Sequence, residues 1–383
     1  MKVLHIMLSC FYIDKANYQE NIIPRINKKD GHEVLIIAST DIFVKNNTLG
    51  FTDPGEYINE DGIKVVRIPY KKNVSSFLAM KIRTYSNDLY GMIEDFAPDI
   101  ILFHGTAAYD LNVVGTYIKK NPKVILFVDS HEDFNNTATN FLSKQILHRL
   151  FYKPILKRNL KYIQKVLYIT YESYLFMKDF YKVPENVLEF FPLGGILPDE
   201  EIAKNTRKEI RDSLSISEED IFCVHSGKID NLKRTEEILS AFHAVKNQRL
   251  HLVIIGSVDK KFEATLQNYL NKDKRIHFLG WKKPAELQNY LISADLYIQL
   301  GSQSATMQQA VCNGCVVAVF PFLSHKFLLK DNCYYISDEK DLVQVLISIL
   351  EDKKRFNNLK KQSSILAAEV LDYNKISNMI FAK

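Results

Sequence analysis

Short apolar runs alternate with longer segments of helical periodicity along the whole chain. Runs rich in valine, isoleucine and leucine are predicted as strands at 3–8, 34–39, 65–69, 100–104, 124–129, 166–170, 221–226, 251–256, 276–279, 296–300 and 316–320. Apolar residues at helical spacing predict helices at 235–246, 263–271, 285–293, 306–312 and 341–350. Buried parallel strands read as such continuous apolar runs, and their alternation with helices indicates βαβ units. Because the pattern occurs twice, we expect two doubly wound α/β halves.

The boundary between the halves is predicted at Phe191-Pro192-Leu193-Gly194-Gly195, where proline fixes φ and the glycines free the backbone to act as a hinge. We expect an N-terminal domain at 1–192, a C-terminal domain at 193–365, and a C-terminal helix at 366–383 that packs back on the first domain. In doubly wound folds ligands bind outside the carboxyl ends of the strands. The expected site is therefore a cleft between two facing sheets.

Composition narrows the function classes only a little. The 383 residues suit two domains, and 46% hydrophobic with 25% charged residues excludes disorder, collagen and coiled coil for the whole chain. A net charge of +5 is too small to indicate nucleic acid by itself. The 5 cysteines are scattered and odd in number, unlike a disulfide framework. No signal peptide is clear and the longest apolar stretch, 315–323, is too short to span a bilayer, so we expect a cytoplasmic protein.

The loop 225–235 follows a predicted strand and opens a helix. Gly227 lets the backbone turn close to a ligand, and Lys228 and Lys233 stand on either side of an irregular loop, where both could reach one anion. Two ammonium groups suit a diphosphate leaving group, because they offset the charge that develops on it. The alternative is a solvated basic loop, which the spacing of two lysines alone leaves open.

The loop 299–310 also runs from a strand into a helix. Its small polar residues offer free backbone N–H groups at the helix start, which favour an anion. Gln309 falls just over one turn into the helix, where its amide could bond sugar hydroxyls. The alternative is an ordinary helix cap formed by Ser304 or Thr306.

Two loops of the first half carry further candidates. His131 stands among acidic residues directly after a strand and could serve as a metal ligand, a general base or a hydrogen-bonding group for substrate, or be structural. Metal is the weakest of these interpretations, because no second histidine lies nearby at ligand spacing. The polar loop 13–20 precedes a helix at the same edge and could contact substrate.

The segment from Lys144 to Lys165 contains seven basic and no acidic residues. Apolar residues recur at helical spacing in the same region, beginning at Phe141, three residues before this segment. A basic amphipathic helix can lie on an anionic membrane surface, but an apolar stripe is also typical of a helix that faces a core. Both interpretations remain open at this point.

Taken together, the order of elements resembles the retaining glycosyltransferases of family four, which have the GT-B fold of two facing Rossmann-like domains. The resemblance covers nearly the whole chain. It rests on Gly31-His32-Glu33-Val34, on 183–187 and 191–195, on Gly227-Lys228 with Lys233, and on 238–242, 253–256 and 278–281. The segments 183–187 and 191–195 are similar to the interdomain segment of the family. Lys228 stands where the family has arginine in its diphosphate motif.

The resemblance implies transfer of a hexose or N-acetylhexosamine from a nucleotide-sugar donor to a glycan or lipid-linked acceptor, with retention, in surface polysaccharide synthesis. It implies catalytic roles for His131, Lys228 and Lys233, with no metal and no cofactor. It implies a donor site formed by Gly227, Trp281, Lys282, Gly301, Ser302, Gln303, Ser304, Ala305, Thr306 and Gln309. On the acceptor side we expect Asn17, Tyr18, Gln19 and His104.

Two positions depart from the family pattern. The family usually carries Glu-x7-Glu after the strand at 296–300, whereas this chain has Gly301 and Gln309. Some bacterial surface-polysaccharide transferases are similar to this chain here. In the first loop, Lys15-Ala16 replaces the glycine that approaches the donor phosphate. An enzyme is the favoured hypothesis, and a non-catalytic GT-B partner subunit or glycan-binding pseudoenzyme is the alternative.

Overall fold

The computed structural model describes residues 1–44, 49–71, 76–85 and 88–381. Its contacts divide the chain into two units. The first unit consists of Met1–Pro192 together with the C-terminal residues from Ile376, and the second of Leu193–Lys375. The final segment expected at 366–383 is therefore divided, because its residues up to Lys375 belong to the second unit.

The first unit is built on an eight-stranded sheet with the order β10-β9-β8-β7-β1-β2-β6-β5. All neighbouring strands are parallel except β5, which runs antiparallel to β6. Its strands are β1 Lys2–Met7, β2 Glu33–Ser39, β5 Gly55–Ile58, β6 Lys64–Ile68, β7 Ile100–Phe103, β8 Ile125–Ser130, β9 Ile163–Tyr168 and β10 Leu188–Phe190, with the separate pair β3 Asp41–Phe43 and β4 Leu49–Phe51.

The helices of the first unit cover the faces of this sheet. They are α1 Gln19–Lys29, α2 Ser76–Ile82, α3 Leu89–Phe96, α4 Leu111–Lys120, a π-helical segment Leu142–Tyr152 that continues as α5 Lys153–Asn159, and α6 Tyr171–Leu175 followed by a π-helical turn Phe176–Phe180. Short 3-10 turns lie at Leu160–Tyr162 and Glu185–Val187. The central strands β1 and β7 are buried on both faces, which is why they read as continuous apolar runs.

The second unit has a six-stranded, wholly parallel sheet with the order β13-β12-β11-β14-β15-β16. Its strands are β11 Ile221–Ser226, β12 Leu250–Ile255, β13 Ile276–Phe278, β14 Leu296–Gln299, β15 Val316–Val319 and β16 Tyr334–Tyr335. Its helices are α7 Glu200–Ser213, α8 Thr235–Ala244, α9 Glu263–Lys272, α10 Pro284–Ser293, α11 Thr306–Cys312, α12 Leu323–Leu329, α13 Glu339–Glu351 and α14 Lys353–Leu366, with a π-helical turn at Ala367–Leu371 and a 3-10 turn at Asn231–Lys233. Helix α15 Tyr373–Asn378 begins in the second unit and ends in the first, and the 3-10 turn Met379–Phe381 belongs to the first.

Strand β11 shows how one strand supports two cores. Cys223 faces the helices on one side together with Leu239 and Phe242, whereas Phe222 and Val224 face the other side. Both sides are completely buried because helices cover each face of a doubly wound sheet. The prediction of two doubly wound α/β halves is confirmed.

The segment at the predicted hinge has a packing role in the second unit. A Cβ atom on Gly195 would lie 2.8 Å from the Cβ of Cys312, so only glycine fits there. Gly195 N also donates to Leu371 O, and Tyr373 N donates to Gly195 O. Close packing, rather than freedom of φ, is what the structure shows for this glycine.

Candidate functional site

Each sheet contains one point where the strand order reverses. In the second sheet the chain starts at β11, adds β12 and β13 on one side, and then adds β14 to β16 on the other. In the first sheet the same reversal falls between β1 and β7. The loops that leave the two strands on either side of a reversal point diverge and leave a crevice, which is where open α/β sheets bind ligands. The predicted loops 225–235 and 299–310 follow β11 and β14, on either side of this point.

Lys228 and Lys233 are both arranged around Asp230 in the loop after β11. The carboxylate of Asp230 accepts a hydrogen bond from Lys233 N at 3.1 Å, and Lys228 Nζ lies 3.9 Å from its second oxygen. The ammonium end of Lys233 lies over Gly227, because a Cβ on this glycine would come within 3.3 Å of Lys233 Nζ. Gly227 also has φ +129, which favours glycine. The structure therefore brings the two lysines to one loop.

The two lysines differ in environment. The Lys228 side chain is 65% exposed, so its charge is available to solvent or to a ligand. Lys233 is partly buried; burial lowers the pKa of its ammonium group, while the Asp230 carboxylate acts in the opposite direction. A cation with reduced hydration binds an anion more strongly than a fully hydrated one, because less water must be displaced.

Three loops at this edge approach one another so closely that only glycine fits between them. A Cβ on Gly256 would lie 1.7 Å from Gly227 O, and a Cβ on Gly301 would lie 2.2 Å from Leu232 O. Gly256 N also donates to Gly280 O at 2.9 Å. In this structure position 301 therefore cannot carry a carboxylate side chain, which is a physical reason for the departure from the Glu-x7-Glu pattern.

The loop after β14 begins helix α11 without a side-chain cap from its N-cap residue, Ala305. Ser304 Oγ accepts from Thr306 N at 3.2 Å, but Ser304 precedes the N-cap residue and Thr306 is the first residue of the helix, so neither forms the helix cap that the alternative interpretation predicted. Gln299 is buried at the end of β14, and its Nε2 donates to Ser302 O at 2.5 Å. Gln309 is partly exposed on α11. The loop is thus held by its own polar groups, and Ser302 and Ala305 remain exposed.

The loop after β13 presents Trp281 and Lys282. The Trp281 side chain is 65% exposed, and Lys282 Nζ lies 3.9 Å from the carboxylate of Glu286 on α10. A pocket of about 660 Å³ opens nearby between the ends of β12 and β13 and helix α9. It is lined by Gly256, Ser257, Val258, Glu263, Ala264, Leu266, Gln267, Leu270 and Phe278. Its volume lies within the range of small-molecule sites.

In the first unit, His131 lies between two carboxylates. Its Nε2 is 3.6 Å from Asp129 Oδ1 and 3.6 Å from Glu20 Oε1, and its side chain is 29% exposed. Burial alone would lower the pKa of this imidazole, but the charges of Asp129 and Glu20 outweigh burial and raise the pKa to about 10. His131 therefore carries a positive charge at neutral pH, which suits a hydrogen-bond donor and does not suit a general base.

A buried row of polar side chains lies behind His131. Asp129 Oδ2 is 2.6 Å from His104 Nδ1, His104 Nε2 is 3.1 Å from His5 Nδ1, and His5 Nε2 is 2.9 Å from Asn27 Oδ1. Asn27 Nδ2 in turn donates to Ser377 Oγ at 2.7 Å. Burial and the neighbouring His104 lower the pKa of His5 to about 3, so His5 is neutral.

The structure corrects the prediction that His104 and Gln19 lie on the acceptor side. His104 is completely buried and bonded within the polar row, and Gln19 is 2% exposed with its Nε2 donating to Pro192 O. Neither side chain is on a surface that an acceptor can contact. Asn17 is partly exposed and Tyr18 is 51% exposed, so these two remain accessible.

In the first loop, 13–20, Lys15 has a left-handed backbone conformation of the kind that glycine usually adopts. Lys15 has φ +62, a conformation that L-residues rarely adopt, and its backbone N–H donates to Glu60 at 2.7 Å. The lysine side chain is exposed.

The sequence places His131 among acidic residues, but no role was predicted for the carboxylates that contact these site residues, namely Asp129, Glu20 and Asp230. The role of Asp129 has a signal in its place two residues before His131, since alternate residues share a face. Asp230 had a signal in its Asp-Asn dipeptide, which often bonds its own backbone in a turn. Glu20 had no comparable signal, because its contact with His131 depends on how helix α1 packs on the sheet.

Within the described ranges, no group of three or more histidine, cysteine, aspartate or glutamate side chains is arranged to hold a metal ion. In the same part of the chain, no helix is long and apolar enough to cross a bilayer.

Comparisons with known proteins bear on the family of the second unit and on the fold of the chain. Residues 206–364, all in the second unit, match the sequence model of the family described as glycosyl transferases, group 1. No curated protein matches the chain.

Among solved structures, the Anabaena protein HepE in complex with UDP has a TM-score of 0.67 at 11% identity, over 100% of this chain and 98% of HepE. Sucrose-phosphate synthase from Thermosynechococcus elongatus has a TM-score of 0.66 at 14% identity, over 100% and 97% of the chains. WaaG, a glycosyltransferase involved in lipopolysaccharide biosynthesis, has a TM-score of 0.63 at 14% identity over 100% of both. The chain has the GT-B fold of two Rossmann-like domains, so this prediction is confirmed.

Proposed function

We propose that this protein is a retaining glycosyltransferase of family four that transfers a hexose or N-acetylhexosamine from a nucleotide sugar to a glycan or lipid-linked acceptor in surface polysaccharide synthesis. The observation that carries the proposal is the loop after β11. There Lys228 Nζ lies 3.9 Å from the Asp230 carboxylate and the Lys233 ammonium lies over Gly227, at the reversal point of the unit that matches glycosyl transferases, group 1.

The lysine pair is proposed to bind the diphosphate of the donor. When the bond between the anomeric carbon and the diphosphate oxygen breaks, negative charge grows on the departing phosphate. Two preplaced ammonium groups stabilise that charge more than they stabilise the ground state, and this difference lowers the barrier. In this proposal the lysines do the work of a cation, so the reaction uses neither a metal ion nor a cofactor.

The sugar is proposed to transfer by attack on the same face that the diphosphate leaves. The acceptor hydroxyl oxygen bonds the anomeric carbon, and its proton passes to the departing phosphate oxygen. This path requires no carboxylate nucleophile, in keeping with Gly301, which leaves no space for a side chain. The protonated His131 is proposed to donate a hydrogen bond to a substrate hydroxyl.

The base of the donor is proposed to contact the loop at Trp281-Lys282 and the pocket beside α9. The rest of the donor is proposed to contact the loop 301–306 and Gln309. Phe278, Leu266 and Leu270 give the pocket apolar walls that suit a flat heterocycle. Structures that share the fold include complexes with UDP and with UDP-glucose. Uridine diphosphate sugars are therefore the first donors to test.

We also propose that the protein works in the cytoplasm at the inner face of a membrane, where a lipid-linked acceptor is accessible. All five cysteines are free thiols in this structure, which fits a reducing compartment.

The test is transfer from UDP-, GDP- and ADP-sugars to lipid-linked acceptors, with release of nucleoside diphosphate as the readout. A charge-assisted contact contributes about 1.5–3 kcal/mol, so Lys228→Ala and Lys233→Ala should each reduce turnover about tenfold or more. Lys272→Ala is the matched control, because Lys272 is an exposed lysine of the same unit on α9, away from the lysine loop.

Four outcomes decide the proposal. Transfer with retained anomeric configuration, determined by NMR of the product, supports it. A product of inverted configuration contradicts the same-face mechanism. Tight nucleotide binding without transfer to any acceptor indicates a pseudoenzyme, and normal turnover in both lysine variants excludes their role at the diphosphate.

A further inference from the structure

The segment Leu142–Tyr152, with Phe141 before it, exposes apolar side chains instead of burying all of them. The exposed fractions are 76% for Phe141, 66% for Leu142, 44% for Ile146 and 67% for Leu150. Leu142, Ile146 and Leu150 are four residues apart, so they lie along one side of the helical segment. Isolated exposed apolar residues are normal on protein surfaces, but a row of them on one helix requires an explanation.

The core-facing side of the same helical segment is formed by other residues. His148 and Tyr152 are buried, and His148 bonds Tyr181 OH at 2.8 Å and Thr137 Oγ1 at 3.1 Å. Tyr152 OH donates to Lys81 O at the end of α2. The helix is thus already attached to the unit by its buried side, and the exposed apolar row is additional to what the core needs.

Basic residues are also exposed along this helical segment and the helix that continues it. Arg149, Lys157, Arg158 and Lys161 are exposed, and between residues 141 and 165 there are seven basic and no acidic residues. The whole chain carries only +5, so the remainder of the chain is slightly acidic. Burial, and then the neighbouring charges of Lys157, Arg149 and Lys182, lower the pKa of Lys153. Positive charge is therefore concentrated in this segment of the chain.

The apolar and basic surface extends beyond the helix itself. Tyr109, 42% exposed, stacks on Phe151 with ring centroids 6.3 Å apart, and its N–H donates to Ile82 O at 3.1 Å. Met80, two residues earlier on α2, is 42% exposed. An amphipathic helix that lies in a membrane interface combines such an apolar row with lysine and arginine beside it.

We propose that the surface formed by Phe141, Leu142, Ile146 and Leu150 together with Arg149 and Lys157 binds the headgroup region of an anionic lipid bilayer, with the apolar row inserted among the acyl chains. Charge complementarity identifies the occupant, since phospholipid phosphates are anionic and the segment contains no acidic residue. The surface adjoins the proposed site along the chain, because the helix begins eleven residues after His131, at the end of the loop that follows β8. The binding itself does not depend on the proposed enzymatic activity.

The test is cosedimentation of the full chain with vesicles of phosphatidylcholine alone and of phosphatidylcholine with phosphatidylglycerol. We expect binding to the anionic vesicles at least tenfold tighter than to the neutral ones, and weaker binding as salt is raised. The variant Leu142→Ser/Ile146→Ser/Leu150→Ser should reduce binding at least tenfold. Arg149→Glu/Lys157→Glu should reduce it on anionic vesicles only.

Matched controls come from exposed residues elsewhere on the protein. Ile58→Ser/Ile202→Ser removes apolar side chains that are 64% and 62% exposed, and Lys272→Glu/Lys274→Glu reverses two exposed charges of the second unit. Both should bind vesicles as the unmodified chain does. Thermal melting followed by circular dichroism identifies any variant that does not fold. If a variant does not fold, the single substitution Arg149→Ala is tested in its place.

Equal affinity for neutral and anionic vesicles, or unchanged binding by both surface variants, would overturn the proposal. So would no binding of the unmodified chain to any vesicle. Sedimentation velocity tests whether the surface instead binds a second copy of this chain. Self-association that the triple serine variant abolishes, without vesicle binding, would show that the surface is a protein interface.

Discussion

At the scale of single residues, the charge on His131 is set by Asp129. Burial alone would raise the pKa of the Asp129 carboxyl, but His104 and His131 hold it well below its usual range. The carboxylate is held in place by Gly105 N, which donates to it at 2.7 Å. The raised pKa of His131 means that this group stabilises the folded state fully below about pH 6.5, and that the contribution is lost as pH rises toward about 10.

This arrangement predicts the titration of His131. In the unmodified protein the imidazole signals of His131 should not change between about pH 5 and 8, because the ring stays protonated. In Asp129→Asn the main opposing charge is gone, so His131 should titrate within that range. The measurement is a histidine-selective NMR pH titration of both proteins.

Glu20→Gln serves as the second variant, because Asp129 is buried and its replacement could disturb folding. It removes the second carboxylate near His131 and should lower the pKa of His131 by less than Asp129→Asn does. A normal titration of His131 near pH 6.5 in the unmodified protein would contradict the ion pair with Asp129.

The sequence singles out His131, Lys228 and Lys233 as candidates because they stand in loops after predicted strands and their residue types have recognisable chemistry. The expectation of His104 on the acceptor side was wrong, because burial of a strand-end residue depends on the neighbours across the sheet. The requirement for glycine at 301 also follows from a distance between two loops, which no local pattern encodes.

At the scale of elements, the second unit depends on Asp295, the residue before strand β14. Its carboxylate accepts from Arg207 Nη2 at 3.0 Å, Arg211 Nη1 at 3.1 Å and Lys360 Nζ at 2.5 Å, and from the backbone of Phe222 at 2.9 Å. It thus joins helices α7 and α14 to the sheet. Burial opposes ionisation, but Lys360 and Arg207 lower the pKa of this carboxyl.

We predict that Asp295→Ala destabilises the second unit by about 3–5 kcal/mol, because it leaves buried cations without their partner. Arg211 is the most affected, since it is 1% exposed. Since the folded pKa of Asp295 is lowered, its contribution is present above the unfolded pKa of about 3.9 and is lost as pH falls below it. Urea unfolding at neutral and acid pH measures both effects.

Asp212→Ala is the matched control, because Asp212 pairs with Lys208 on the exposed side of the same helix, α7. An exposed pair of this kind contributes about 0.3–0.5 kcal/mol. A loss of similar size for Asp295→Ala would mean that the buried cluster does not hold α7 and α14 on the sheet.

Helix α7 also shows where element prediction failed. The stretch 199–220 is polar and is not among the helices that the apolar spacing predicts, yet Glu200–Ser213 is a helix. Its start does follow a sequence rule, since Asp199 accepts from Glu201 N and Ile202 N as an N-cap. Most residues of the helix are polar and its buried residue is Arg211, so the sequence has no apolar row there to indicate a helix. The inner strands of both sheets were predicted because buried parallel strands are continuously apolar, whereas the short edge strands β5, β10 and β16 were not predicted.

At the scale of the whole molecule, the two units have separate sheets and separate hydrophobic cores. The proposed donor contacts in the second unit are grouped in the loops after β11, β12, β13 and β14. The proposed lipid contacts belong to the first unit. Ligands of the two kinds should therefore affect different parts of the chain.

We predict that UDP slows amide hydrogen exchange in 226–234, 256–258, 280–282 and 300–306 and leaves β2 and β6 of the first unit unchanged. At a UDP concentration 100 times its dissociation constant, amides that exchange only from the free protein should slow about 100-fold. Lys228→Ala/Lys233→Ala at the same UDP concentration should show little protection, whereas Lys272→Ala should behave as the unmodified chain does. Because lipid binding uses other residues, anionic vesicles should protect 141–153 in all three proteins. Protection of 141–153 by UDP, or none in the loop after β11, would contradict this separation of donor and lipid surfaces.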